Sequence, residues 1–188
     1  HRRRHSFPTR RSSDLHTLQA IRENETRMLA LGFAVFRFKL AAFTLAESPR
    51  PEAPMALQAL HQAGLRLLVE PINRYDIPGF YLQRTAQALS VLDEVGAPNA
   101  FVQYDIYHAQ RTEGELAASL QKHLARIGHV QLADNPGRNE PGTGEINYPF
   151  VLRHLDAIGY QGWVGCEYHP LGDTQAGLVW LKNFLQSN

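Results

Sequence analysis

At 188 residues and 44% apolar, the chain is sized for one domain with a buried core, and no run approaches the roughly 18 apolar residues of a membrane span. Its only cysteine, Cys166, rules out an intrachain disulfide, so a reducing, cytoplasmic setting is expected, with the thiol packed as a small core residue. The formal charge of +1 rests on Arg2, Arg3, Arg4, Arg10 and Arg11. Without these and Asp14, the 19 basic and 18 acidic residues become 14 and 17, a net of −3, which offers nucleic acid no basic face.

Residues 1–15 (HRRRHSFPTRRSSDL) have no starting methionine, no apolar segment and no helical period. They resemble a translated sequencing adapter and are read as a non-native basic segment, which leaves 16–188 as the domain. Ala20–Leu31 is expected to be a helix stopped by Gly32, and Val35–Leu40 a strand. Pro54–Gln62 follows as a helix, with prolines at its start and Gly64 at its end. Strand and helix then alternate: strand Leu65–Glu70, helix Leu82–Val95, strand Phe101–Asp105, helix Glu113–Arg126, strand His129–Ala133, helix Tyr148–Ile158, strand Trp163–Glu167 and helix Thr174–Leu185. Five βα units of this kind predict an α/β fold, a partial (β/α)8 TIM barrel with parallel strands in sequential order. A closed barrel needs eight units, so the first three are expected to be missing from this sequence.

Side chains alternate between the faces of a strand. Glu70 therefore shares a face with Leu68, Asp105 with Gln103, Gln131 with His129, and Glu167 with Gly165. The opposite faces carry Leu67 and Val69, Val102 and Tyr104, Val130 and Leu132, and Val164 and Cys166, and are expected to pack on helices. Ligands of parallel βα folds bind at the carboxyl ends of strands. Four oxygen-bearing residues at four such ends suit a hard divalent cation, Mg²⁺ or Mn²⁺. Gly142 and Gly144 lack the Lys-Ser/Thr of a phosphate loop and are expected to allow a tight turn before the helix at Tyr148.

The stretches LVEPINRYDIPG (68–79), QYDIYHAQ (103–110), HVQLADNPGRNEPGTGEINY (129–148) and GYQGWVGCEY (159–168) resemble the hydroxypyruvate isomerase family. That family lies within the xylose isomerase-like TIM barrels, beside the 2-oxo-tetronate isomerases. The resemblance implies a metal held by Glu70, Asp105, Gln131 and Glu167, with Glu70 and Glu167 as the acid–base pair. It implies substrate contacts from His108 and Arg138, the latter suited to a carboxylate by its guanidinium fork. The implied reaction interconverts a small hydroxy-oxo acid through an enediolate, of the hydroxypyruvate to tartronate semialdehyde type, within carbohydrate and glyoxylate metabolism. A ketose 3-epimerase or a 2-oxo-tetronate isomerase would use the same glutamates, although Gln131 replaces the histidine usual in epimerases. An abasic-site nuclease would need a histidine-rich metal cluster and a basic groove. An inactive barrel fragment is the non-enzymatic alternative. The partner expected is a small molecule, with no nucleic acid and no membrane, and homo-oligomerisation is left open.

Overall fold

A computed structural model describes residues 53–186; the expected helix Ala20–Leu31 and strand Val35–Leu40 lie outside them. The described residues divide into two compact units, one of 53–67 with Ala97–Asn99, the other of Leu68–Gly96 with 100–186. In the first, helix α1 (Ala53–Gln62) ends at Gly64, whose φ of 68° is the left-handed conformation a helix stop requires. Leu67 N–H donates to the Asn99 carbonyl at 2.8 Å, and the Asn99 side chain returns a bond to the Leu65 carbonyl at 3.0 Å.

The second unit holds the sheet and the site. Its elements are β1 (Leu67–Val69, entering from the first unit), α2 (Thr85–Val95), β2 (Ala100–Asp105), α3 (Ile106–Thr112), α4 (Leu116–His123) and a 3-10 turn at Leu124–Arg126. Then come β3 (Ile127–Leu132), α5 (Tyr148–Ala157), β4 (Val164–Cys166), α6 (Thr174–Gly177) and α7 (Val179–Gln186). The four strands form a parallel sheet in the order β1-β2-β3-β4, as sequential βα units require. Asp105 pairs with Gln131, and Gln131 with Gly165, which sets three inner-face positions level across the sheet. The opposite face is the core: Val69, Val102, Tyr104, Val130 and Leu132 are buried. The alternation expected from the sequence is observed in β1, β2 and β3, but not in β4, whose Val164 and Cys166 are exposed.

Three details depart from expectation. The helix expected at Glu113–Arg126 is broken, and a separate helix, α3, precedes it. Asp105 starts α3 at once, because its Oδ1 accepts from Tyr107 N–H at 2.7 Å and His108 N–H at 3.1 Å. Gly114 and Glu115, both at positive φ, then separate α3 from α4. The C-terminal helix expected at Thr174–Leu185 is likewise two helices, α6 and α7. Finally, Cys166 is exposed instead of packed in the core. It sits on β4, the last strand of the described sheet, where Val164 and Trp163 are exposed too.

Between β2 and β3 the register slips by one residue, with Val102 opposite Ile127 and Gln103 opposite His129. Gly128 is the residue passed over. A Cβ there would lie 2.8 Å from the Cβ of Phe101 and 2.7 Å from Cδ2 of Leu68. Leu68 can swing aside, but Phe101 Cβ moves only with its backbone. Gly128→Ala is therefore expected to destabilise the fold by about 1–3 kcal/mol, the usual cost of overpacking. Chemical denaturation measures this, and an unchanged midpoint would show that the sheet yields without strain.

Candidate active site

Glu70 lies one residue past β1, Asp105 ends β2, Gln131 is near the end of β3 and Glu167 follows β4, its N–H donating to the Leu132 carbonyl at 3.0 Å. Gln103, one inner-face step below Asp105, ties neighbours together: its Nε2 donates to Glu70 Oε2 at 2.8 Å and to Gln131 Oε1. The two carboxamide protons thus orient one carboxylate and one carboxamide toward the same end of the sheet.

Asp105 is divided between two tasks. One oxygen caps α3. The other, Oδ2, is buried and has no hydrogen-bond partner, an arrangement that costs on the order of 1–3 kcal/mol if nothing compensates it. It lies 3.9 Å from His108 Nε2, which is 3.8 Å from Glu70 Oε1. Glu70, Asp105 and His108 each bring a ligand atom within 4.8 Å of the others. Glu167 is not in that cluster. Its carboxylate is half exposed, 3.5 Å from Arg138.

The electrostatics are those of a crowded acidic site. Burial foremost, then the charges of Asp105 and Glu167, push the Glu70 carboxyl up to about 8. Burial raises Asp105 to about 6, against the His108 N–H and Arg138, which favour its charged form. Burial, with Arg138 nearby, lowers His108 to about 4. An orphaned carboxylate oxygen beside a second carboxyl that resists ionising, with the Gln131 carboxamide at the next strand end, forms an oxygen-rich donor set that fits a hard divalent cation.

A loop from 134 to 147 brings in Arg138. The buried carboxylate of Asp134 accepts from four backbone N–H groups: Asn135 at 2.9 Å and Ile146 at 3.1 Å on Oδ1, Gly142 at 2.8 Å and Gly144 at 3.0 Å on Oδ2. Gly142 has φ +92°, and a Cβ on Gly144 would sit 2.0 Å from the Asn135 carbonyl oxygen, so the turn expected at these glycines requires them. Arg138, itself at φ 56°, reaches Asp76 Oδ2 at 3.3 Å as well as Glu167. Asp76 also accepts from the Tyr107 hydroxyl at 3.0 Å. Asn73, Asp76, Tyr107 and Asp134 were not among the residues singled out by sequence. An Asp before Asn-Pro-Gly is a turn signal that points to Asp134; the others carry no periodic mark.

These shifts predict how the metal-free protein responds to pH. His108, depressed in the fold, adds stability as pH rises to about 6.5, opposing Asp105 and Glu70, whose raised values remove it. His123 and His129, also depressed by burial, act in the same sense as His108, and all three are largely neutral in both states by pH 7, where Glu70 still binds a proton only in the fold. Stability should fall between pH 7 and 8, by up to about 1 kcal/mol. Melting in the presence of a chelator tests this. A midpoint that rises over that interval would mean Glu70 ionises freely.

The xylose isomerase-like TIM barrel family model matches residues 55–184, and the chain belongs to that family. Hydroxypyruvate isomerase of Escherichia coli is 51% identical over 141 residues, 75% of this chain and 53% of that protein. A 2-oxo-tetronate isomerase of Cupriavidus necator is 47% identical over 130 residues, 69% of this chain and 50% of its own length. A crystal structure of a protein from Brucella melitensis named AP endonuclease, family 2, aligns with a TM-score of 0.67 and 41% identity, covering 69% of this chain and 50% of that one. The chain spans about half the length of the curated relatives it matches. No helix among the described residues is long and apolar enough to cross a membrane.

Proposed function

We propose that this site serves a metal-assisted isomerase that moves a carbonyl between adjacent carbons of a small hydroxy-oxo acid, of the hydroxypyruvate to tartronate semialdehyde type. The observation that carries the reading is the unpartnered Asp105 Oδ2 beside Glu70 and His108, at strand ends shared with Gln131 and Glu167. Relatives named hydroxypyruvate isomerase and 2-oxo-tetronate isomerase support the substrate class.

Glu70, Asp105, Gln131 and Glu167 would hold Mg²⁺ or Mn²⁺, which when bound supplies the Lewis acidity that makes a carbon-bound proton removable by a carboxylate. The chain's own residues do the rest. A proton leaves C3 of hydroxypyruvate, the electron pair forms the enediolate, a proton is delivered to C2, and the C3 hydroxyl proton passes to the C2 oxygen as C3 becomes the carbonyl; Glu70 and Glu167 are the two carboxylates available for the carbon protons. Arg138 offers its fork to the substrate carboxylate, exchanging contacts it now makes with Asp76 and Glu167. His108, on the first turn of α3, faces a substrate oxygen.

Turnover of hydroxypyruvate by a form of the relatives' length, after chelation and after return of Mg²⁺ or Mn²⁺, tests the reading. Loss on chelation and recovery on return are expected. Undiminished turnover in chelator would remove the metal, and no turnover of either a three- or a four-carbon substrate would remove the isomerase. Nothing among the described residues favours the nuclease reading suggested by the Brucella protein's name: Arg111 and Arg138, beside the site, are both paired with Asp76.

A further inference from the structure

The Asn73 side chain is fully buried beside His108, and no part of the chemistry above requires it. Its amide orientation is fixed by its surroundings. Oδ1 accepts from two backbone N–H groups, Tyr75 at 2.9 Å and Asp76 at 2.9 Å, neither of which can face an NH2 group instead. Nδ2 is therefore the atom 2.6 Å from His108 Nδ1, and it arrives there as a donor. The Asn73 backbone N–H points at the same ring nitrogen from 3.4 Å. Two donors on Nδ1 leave it no room for a proton.

We infer that Asn73 is a positioning residue that holds neutral His108 as the tautomer protonated on Nε2, so that the ring presents an N–H into the site. Nε2 then has no lone pair for a cation, and His108 leaves the ligand set despite lying within reach of Glu70 and Asp105. Its N–H faces Glu70 Oε1 at 3.8 Å and Asp105 Oδ2 at 3.9 Å, both too distant to be bonded. Arg138 Nη2, 3.4 Å from Nε2, is a second donor directed at the same space. Two donors converging without an acceptor between them suit an anionic or carbonyl oxygen of the substrate, a consequence that rests on the isomerase reading. The tautomer itself does not.

Nitrogen-15 shifts of the imidazole in the neutral protein, with no substrate or metal added, test it on the whole chain. The expected spectrum has Nδ1 in the unprotonated range and Nε2 in the protonated range. A proton on Nδ1 in the wild type would overturn the inference, whatever becomes of the Asn73 variants. Asn73→Asp keeps an oxygen for the turn and replaces the donor with an acceptor, so His108 Nδ1 should move to the protonated range. A residue needed only for the turn would leave the shift unchanged, and that result also overturns it. In a catalytically active form, Asn73→Asp should lower kcat at least tenfold. A normal spectrum without isomerase activity would count against the isomerase reading alone.

Discussion

Glu70→Gln and Glu167→Gln, made in a form of the relatives' length, are each expected to lower turnover by at least about 10², the lower range for acid–base residues. Glutamine keeps an oxygen that can coordinate while removing the basic carboxylate, so part of the metal affinity should survive. The two variants should differ in one respect. Glu70 is bonded to Gln103 and held protonated by burial and by Asp105, and an amide there needs no proton taken up on folding, so metal-free stability near neutral pH should rise. Glu167 is half exposed against Arg138, so its loss should leave stability within about 0.5 kcal/mol. Steady-state kinetics beside thermal melts separate these effects. Near-normal turnover in either variant would remove that residue from the mechanism.

Asp134→Ala is expected to cost at least about 3 kcal/mol, because four backbone N–H groups lose one acceptor together. Water can reach some of them, which keeps the figure below the sum of four separate penalties. The same loop carries Arg138, whose own N–H bonds the Asp134 carbonyl at 2.8 Å and whose carbonyl accepts from His169 at 2.8 Å. Activity should thus fall with stability. Asp134→Asn retains one oxygen but turns an NH2 toward two of the donors, so an intermediate cost is expected. Denaturant titration of both variants gives the order, and an alanine variant as stable as wild type would show that the loop holds itself.

The sheet was legible because alternation is a property of the strand itself. Once Val102 and Tyr104 are assigned to the core, Gln103 and Asp105 must face the other way, and their neighbours Gln131 and Glu70 are met there. Boundaries were less legible. The α3 helix is hidden in the sequence because Asp105 ends a strand, while one oxygen of its carboxylate also caps a helix. The Arg138 setting was hidden for a different reason. Its reach to Asp76 and Glu167 depends on the 134–147 loop, which is shaped by Asp134 accepting from residues 1, 8, 10 and 12 positions onward, a pattern without period. The Asn73 amide nitrogen and the Asp76 carboxylate are of the same kind: single polar groups in a loop, meaningful only beside His108 and Arg138. The apolar pattern of β4 predicts a buried outer face that includes Cys166, whereas β4 is the edge of the described sheet and Cys166 is exposed.

Hydrogen exchange into the product is the most direct measurement of the central claim, that carboxylates at these strand ends move a proton between adjacent carbons with the help of a divalent ion. Hydroxypyruvate would be supplied in D2O to a form of the relatives' length, with Mg²⁺ or Mn²⁺ and then with chelator, and followed by proton NMR. Tartronate semialdehyde carrying deuterium at C2, formed only with the ion present and not by Glu70→Gln, is the predicted result. Product formed equally well in chelator, or formed at an undiminished rate by Glu70→Gln, would contradict it.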